Sequence, residues 1–196
     1  MTFAPVSGGT PAVRVVFDGQ SLNLIPAGYP SYPIQTMKDR SEAYCVVAIA
    51  GTSWTTLATT AATRLHPLGP LATTSVLVMN GGTQDVLDGD SGATIMADAV
   101  SYADNARAAG FDFVIITTIP PAAGMTAGQN TARGDFNTLV MADAGADFDV
   151  SVNLLSGALA DNTDQNYYAF DQVHWAEGGA KVAADLIKAA LDTVLA

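Results

Sequence analysis

Short apolar runs, most of them ending at glycine, serine or proline, constrain the fold of this chain most strongly. Such runs lie at 14–17, 45–49, 75–79, 113–117 and 148–152. Continuous apolar runs are typical of strands that are buried on both faces of a parallel sheet. Because helix-length segments separate them, we predict an α/β fold: a three-layer α/β/α sandwich around a five-stranded parallel sheet, with right-handed crossovers.

The segments between these runs carry helical signals. Apolar residues recur at helical spacing in 91–109, where Ser91 suits the N-cap and Gly110 suits the C-terminal stop. A stripe of alanine, valine, leucine and isoleucine also runs along 179–195. The predicted helices are 34–44, 54–65, 91–109, 131–144 and 179–195.

Length and composition fit one folded domain. The chain has 196 residues, of which 49% are hydrophobic and 14% charged, so it can bury a substantial core. We predict a single domain over 1–196, with a lead-in arm at 1–11 that is rich in glycine, proline, serine and threonine.

The acidic charge narrows the range of partners. A net charge of -11 repels phosphate backbones and anionic membranes, so we expect neither nucleic acid nor membrane insertion. The N-terminus lacks the basic region and apolar run of a secretory signal, and no apolar stretch approaches the roughly 20 residues of a membrane span. The compartment and the oligomeric state remain open.

The sequence gives no indication of a metal or cofactor. Cys45 is the single cysteine, which excludes an internal disulfide and a zinc site built from several thiolates. It fits a small buried apolar residue. Asp85, Asp88 and Asp90 lack the full calcium-loop spacing, and we interpret them as a solvated acidic loop.

Ser21 is the candidate nucleophile, because it follows the first apolar run directly, where the carboxyl end of a strand meets ligands. A serine needs a base, and imidazole is the usual one. His66 lies in a connector, whereas His174 follows Asp171 by three residues, an offset that lets the carboxylate reach the ring. We predict a Ser21–His174–Asp171 triad. Alternatively, Ser21 is a turn residue and the other two form a helix cap.

An acyl-transfer site also needs donors for the developing oxyanion. The candidates are the backbone N–H groups of Ser21 and Gly51 and the side-chain amide of Gln84.

Residues near the triad are candidates for contact with the substrate. Trp175 and the Tyr167–Tyr168 pair flank the histidine segment and could line an acyl or sugar pocket. We also expect Asp18, just before the serine turn, to contact the substrate.

Four segments, in this order, resemble the sequence blocks of the SGNH hydrolase superfamily, the GDSL-type esterases and acetylesterases. They are Asp-Gly-Gln-Ser-Leu at 18–22, Gly51, Gly-Thr-Gln-Asp at 82–85 and Asp-Gln-Val-His at 171–174. The Gly-Gln-Ser form resembles the carbohydrate acetylesterase branch more than the Gly-Asp-Ser lipase branch.

The resemblance implies a flavodoxin-like sandwich and a serine esterase that removes short acyl groups, acetyl above all, from a small-molecule or glycan ester without a metal. It departs from the family at Gln84, where the third block normally supplies asparagine as oxyanion donor. Asn80 is a conceivable substitute. The departure keeps open a second hypothesis, a catalytically weak or inactive glycan-binding or structural module on the same fold.

Overall fold

Five parallel strands form the centre of the protein. The computed structural model describes residues 11–24, 30–155 and 157–196. The strands lie in the order β2-β1-β3-β4-β5, all parallel, which confirms the predicted sheet. Their bounds are β1 Val13–Gly19, β2 Ala43–Val46, β3 Thr74–Asn80, β4 Phe113–Thr117 and β5 Val150–Val152. Residues 1–10 of the predicted lead-in arm lie outside the described residues.

Six α-helices lie between and after the strands within the described residues. They are α1 Tyr32–Met37, α2 Trp54–Arg64, α3 Thr83–Asp88, α4 Gly92–Ala108, α5 Ala127–Ala142 and α6 Glu177–Val194. Ser91 caps α4 as predicted, since its side chain accepts a hydrogen bond from the Thr94 N–H. Within the described part of the chain, no helix is both long and apolar enough to cross a membrane.

Alternate residues of the strands pack into two separate cores. Val16 of β1 faces a cluster with residues of α2, α3, α4 and α5, and this cluster also holds Cys45. Burial raises the pKa of the Cys45 thiol to about 11, as expected for a small buried apolar residue. Val15 and Phe17 face the opposite cluster with α1 and α6. The two clusters therefore give the predicted three layers.

Several elements differ from the predicted ones. The helix α1 covers Tyr32–Met37 rather than 34–44, because the chain turns after Met37 and β2 already begins at Ala43. The helix α5 begins at Ala127 rather than 131, because Thr126 and Gln129 form a capping box around a polar first turn that shows no apolar periodicity. Strand β2 covers Ala43–Val46 rather than 45–49, although Val47 and Ile49 still donate backbone hydrogen bonds to β1.

The helix α3 was not predicted at all. It has only six residues, too few for a periodic pattern. Gly82 and Gly89 flank it, with φ of +96° and +97°, a left-handed conformation that glycine adopts without strain. The acidic segment 85–90 therefore begins in a helix and not in a loop.

Candidate active site

A cleft of about 90 Å³ lies at the carboxyl end of the sheet. It is formed by the turn after β1, the loop after β2, the start of α3, the segment after β4 and the segment before α6. Each of them contributes to the lining, for example through Ser21, Gly51, Gln84, Pro120 and Val173. Chain segments far apart in sequence thus meet where ligands bind in open α/β sheets.

The turn after β1 is fixed by a close approach to β3. Gly19 has φ +131°, and a Cβ there would lie 1.8 Å from the carbonyl oxygen of Asn80. The Gln20 N–H donates to that oxygen at 2.9 Å. A short 3-10 turn, Ser21–Asn23, follows directly, so Ser21 begins a tight bend at the strand end. Only glycine at position 19 permits this bend.

Ser21, His174 and Asp171 form one continuous hydrogen-bonded chain. His174 Nε2 lies 2.8 Å from Ser21 Oγ, although the two residues are 153 positions apart. His174 Nδ1 lies 2.7 Å from Asp171 Oδ2. Because the carboxylate only accepts, Nδ1 carries the hydrogen and Nε2 is left to accept the serine proton. This arrangement suits proton transfer from a serine nucleophile.

A compact turn holds Asp171 against the histidine. Asp171 Oδ1 accepts from the backbone N–H groups of Val173 and His174, each at 3.0 Å, and Gln172 takes a left-handed φ of +56°. Partial burial raises the pKa of Asp171, but the hydrogen bonds from the His174 side chain and from these backbone groups outweigh it. They hold the pKa of Asp171 below its ordinary value. The carboxylate is therefore charged at neutral pH and orients the imidazole.

Two backbone donors belong to residues that line the cleft. Within the described residues, the N–H groups of Ser21 and Gly51 donate to no protein acceptor. Gly51 has φ +66°, and a Cβ there would meet no atom within 4 Å, so the left-handed backbone, not space, favours glycine. The side chain of Gln20 ties the two loops together by donating to the carbonyl of Thr52 at 3.0 Å.

The third candidate donor, Gln84, lines the cleft, but its amide already has a partner. Gln84 Nε2 donates to Asp88 Oδ1, one helical turn further along α3, at 2.8 Å. An amide nitrogen carries two hydrogens, so one of them remains. Asn80, the conceivable substitute, is buried and donates to Thr117 Oγ1 at 3.0 Å, which directs it away from this role.

Asp85 connects the oxyanion side of the cleft to the core, a role that the sequence did not suggest. It is fully buried, and its Oδ1 accepts from the Trp54 N–H at 2.9 Å, so it joins the start of α3 to the start of α2. Burial raises the pKa of Asp85 to about 6, against the lowering effect of that hydrogen bond. The interpretation of Asp85 as part of a solvated loop is therefore wrong. In the sequence, only the position of Asp85 directly after Gln84 indicates that it belongs to the site.

Asp18 does not reach the cleft, contrary to the expectation that it contacts the substrate. Its side chain is fully buried and accepts from Arg64 Nη2 at 2.5 Å, from the Gly19 N–H at 2.7 Å and from the Tyr102 hydroxyl. It points into the core because β1 is covered on both faces. Asp18 therefore stabilises the turn from the interior of the protein and does not contact the cleft.

Tyr168 and Trp175 are also buried, with 1% and 3% of their surface exposed. The Tyr168 hydroxyl donates to the carbonyl of Leu159 at 2.7 Å, and Trp175 packs edge-on against Tyr32. Both support the histidine segment from the α6 side of the sheet, so the prediction that they line the substrate pocket is wrong. The apolar lining comes instead from two residues inside the matched segments, Leu22 and Val173, and from four that no motif marks: Leu87, Pro120, Pro121 and Ala122.

Among known proteins, the chain resembles solved structures in fold, and the comparisons with family models and curated sequences found no match. Among solved structures, a GDSL-like lipase from Bacteroides thetaiotaomicron is similar with a TM-score of 0.73 and 23% identity, over 92% of this chain and 88% of that one. A member of the lipolytic G-D-S-L family from Veillonella parvula has a TM-score of 0.71 and 19% identity, over 92% and 97%.

A carbohydrate esterase of family 3 from Talaromyces cellulolyticus is similar with a TM-score of 0.70 and 16% identity, over 93% of this chain and 97% of that one. At such identities the likeness establishes a shared fold, that of the GDSL-type α/β hydrolases. Function has to be argued from the cleft itself.

Proposed function

We propose that this chain is a serine esterase of the SGNH hydrolase superfamily, with Ser21 as nucleophile, His174 as base and Asp171 as the residue that orients it. One observation carries the proposal: the hydrogen-bonded chain from Ser21 Oγ through His174 to Asp171, with distances of 2.8 and 2.7 Å. Its position in a cleft that Gly51 also lines, with the N–H groups of Ser21 and Gly51 donating to no described residue, supports acyl transfer over a structural role.

The reaction follows from these positions. His174 Nε2 takes the proton of Ser21 as its oxygen attacks the ester carbonyl. The N–H groups of Ser21 and Gly51 and the amide of Gln84 bind the oxyanion. The tetrahedral intermediate expels the alcohol, which receives the proton from His174, and leaves the acyl group on Ser21. A water molecule, deprotonated by His174, then releases the acid and restores the serine.

The size of the cleft supports a short acyl group. A closed apolar cavity of about 150 Å³ is large enough for benzene, whereas this cleft has about 90 Å³. An acetyl group fits inside such a space, whereas most of a long fatty acyl chain would have to lie outside it. Prolines at 120 and 121 close one side of the cleft and have no flexible side chain that could move to enlarge it.

A carbohydrate is the alcohol that we propose. The support is the Gly-Gln-Ser form of the turn at 19–21 and the likeness in fold to a carbohydrate esterase. The open side of the cleft would receive the sugar, with its acetyl group directed toward Ser21.

The first experiment tests the nucleophile. A fluorophosphonate probe should label the native protein and not Ser21→Ala, and hydrolysis of p-nitrophenyl acetate should fall by about 10³-fold or more in that variant. Ser101→Ala, an exposed position on α4, is the matched control and should behave as the native protein. Equal labelling of native protein and Ser21→Ala would contradict the proposal.

A second experiment tests the substrate class. The kcat/KM should drop by about tenfold or more from p-nitrophenyl acetate to the octanoate, because the longer chain does not fit the cleft. Acetylated xylan or a peracetylated sugar should release acetate in the presence of the native protein only. A preference for the octanoate would contradict the short-acyl proposal and leave the nucleophile unaffected.

The contact between Gln84 and Asp88 favours a second candidate function, a glycan-binding module without catalysis. In that case the protein would bind an acetylated sugar, fail to react with the fluorophosphonate, and gain hydrolysis in Gln84→Asn. Reaction of the native protein with the probe would exclude this alternative.

A further inference from the structure

A second cavity lies beside the cleft, on the other side of the segment that follows β4. It has a volume of about 500 Å³, is shallow and largely open to solvent, and lies between α5 and the loop after β5. This volume lies within the range of about 300 to 1,000 Å³ that is usual for small-molecule sites. Thr118 lines this cavity and Pro120 lines the cleft, so about 7 Å of extended chain separates the two.

Arg133 is the only charged side chain among the described residues that line this cavity. It is half-buried, and no carboxylate in the described part of the chain lies within 4.0 Å of it. Its contacts are weak: Nε donates to Asn130 Oδ1 at 3.3 Å and Nη1 to the carbonyl of Ile119 at 3.4 Å. Half-burial lowers the pKa of Arg133 because no anion compensates the lost hydration.

The missing partner is unexpected in this protein. The chain carries 19 acidic and 8 basic residues, so a carboxylate is available for almost any cation. Of the other partly buried arginines, Arg40 and Arg64 each have a carboxylate at 2.5–2.6 Å, whereas Arg14 donates to the carbonyl of Leu68 at 3.4 Å and lines no cavity described above. Charged groups that lose water are usually paired. An anion from outside the chain would supply the partner that Arg133 lacks.

The rest of the cavity indicates what kind of anion fits. Asn137 accepts from the Ile119 N–H at 2.7 Å and donates one of its two amide hydrogens to the Ile119 carbonyl at 2.9 Å, so it keeps only one neutral donor. Arg133 Nη2 donates to no described residue and is therefore the strongest donor left. Met141 and Leu155 add apolar wall. The combination suits a carboxylate that is attached to a carbon skeleton.

We propose that this cavity binds a small organic acid, for which a sugar acid serves as the probe, with the carboxylate on the guanidinium of Arg133 and the carbon skeleton against Met141 and Leu155. A guanidinium presents parallel N–H donors that match the two oxygens of a carboxylate. A bare inorganic anion has no carbon skeleton that could contact the apolar wall. The site does not depend on the proposed esterase activity.

Calorimetric titration with glucuronate in 0.1 M NaCl tests the proposal. Glucose is the neutral control ligand and inorganic phosphate the anion without a skeleton. Glucuronate should bind at least tenfold more tightly than either of them. Arg133→Gln should reduce glucuronate binding to the level of glucose. Arg133→Lys should retain part of the binding, because lysine keeps the charge but lacks the paired N–H donors of the guanidinium. Lys38→Gln, which removes an exposed charge elsewhere, should bind as the native protein.

Three results would overturn the proposal: equal binding of glucuronate and glucose, including no binding of either, full retention of binding in Arg133→Gln, or phosphate binding as tightly as glucuronate. If Arg133→Gln fails to fold, the changes in amide NMR shifts that glucuronate causes in the native protein locate the binding site instead. Glucuronate should shift Gly134, Thr138 and Leu155, and shifts confined to other regions would count against the site.

Discussion

Gln84 is the residue on which the proposed activity can be tested most sharply, because its amide contacts Asp88 while its side chain lines the cleft. A Gln–Asp hydrogen bond on a helix surface contributes about 0.2–0.5 kcal/mol. Releasing it would therefore slow a reaction by about twofold at most. An oxyanion donor contributes about 2.7–4 kcal/mol, or 10²–10³ in kcat. The contact with Asp88 is thus too weak to keep the amide from a developing oxyanion.

We therefore expect Gln84→Ala to lower kcat for p-nitrophenyl acetate by about 10²-fold or more, with little change in KM, because the interaction forms only in the transition state. Asp88→Ala should change kcat by about twofold at most. In the Gln84→Ala background, Asp88→Ala should have no further effect. Steady-state kinetics of the two single variants and the double variant give the coupling between them.

A kcat for Gln84→Ala within threefold of the native value would refute this reasoning and leave the two backbone groups as the whole oxyanion hole. A tenfold gain in Asp88→Ala would refute the magnitude assigned to the contact. Thermal unfolding of each variant separates loss of activity from loss of fold.

Three further predictions concern stability. Asp18→Ala should lower the free energy of unfolding by about 3–5 kcal/mol, since it leaves Arg64 half-buried without its partner; a loss under 1 kcal/mol in urea unfolding would show that the pair is not structural. Gly19→Ala should cost about 3 kcal/mol or more, because its Cβ would lie 1.8 Å from a backbone oxygen at a φ of +131°; a native-like midpoint in the same assay would contradict this. Asp85 has a pKa of about 6 in the folded protein against 3.8 ordinarily, so the folded state binds more protons between these values and Asp85 destabilises the fold as pH rises through that window. The free energy of unfolding of the native protein should therefore fall between pH 4 and pH 7 by up to about 3 kcal/mol more than that of Asp85→Asn, as measured by urea unfolding at both pH values. An equal change in the two proteins would rule out the raised pKa.

The sequence was sufficient for the sheet and for the triad. Strands of a parallel sheet that is covered on both faces are recognisable in the sequence, because most of their residues are apolar. Ser21, Asp171 and His174 were identifiable because acyl transfer admits few residue types, and the chain has only two histidines. Ser91 was identifiable as a cap because its role is local.

The sequence failed where a side chain's direction or partner decided its role. Asp18 stands next to the turn of the proposed nucleophile, yet its side chain contacts Arg64 and Tyr102 in the interior. Tyr168 and Trp175 flank the histidine, yet both are buried beneath it. Neighbourhood along the chain does not fix the side of the sheet on which a residue lies.

What the sequence determined by itself is therefore the layered fold and the residue types that we propose as reacting groups, because apolar patterning and residue chemistry are local properties. Only the tertiary structure decided that Ser21 and His174, 153 residues apart, lie within hydrogen-bond distance. It also decided that the Gln84 amide contacts Asp88 and that Arg133 lines a cavity without a carboxylate partner among the described residues. These are distances between elements that only the packed sheet brings together.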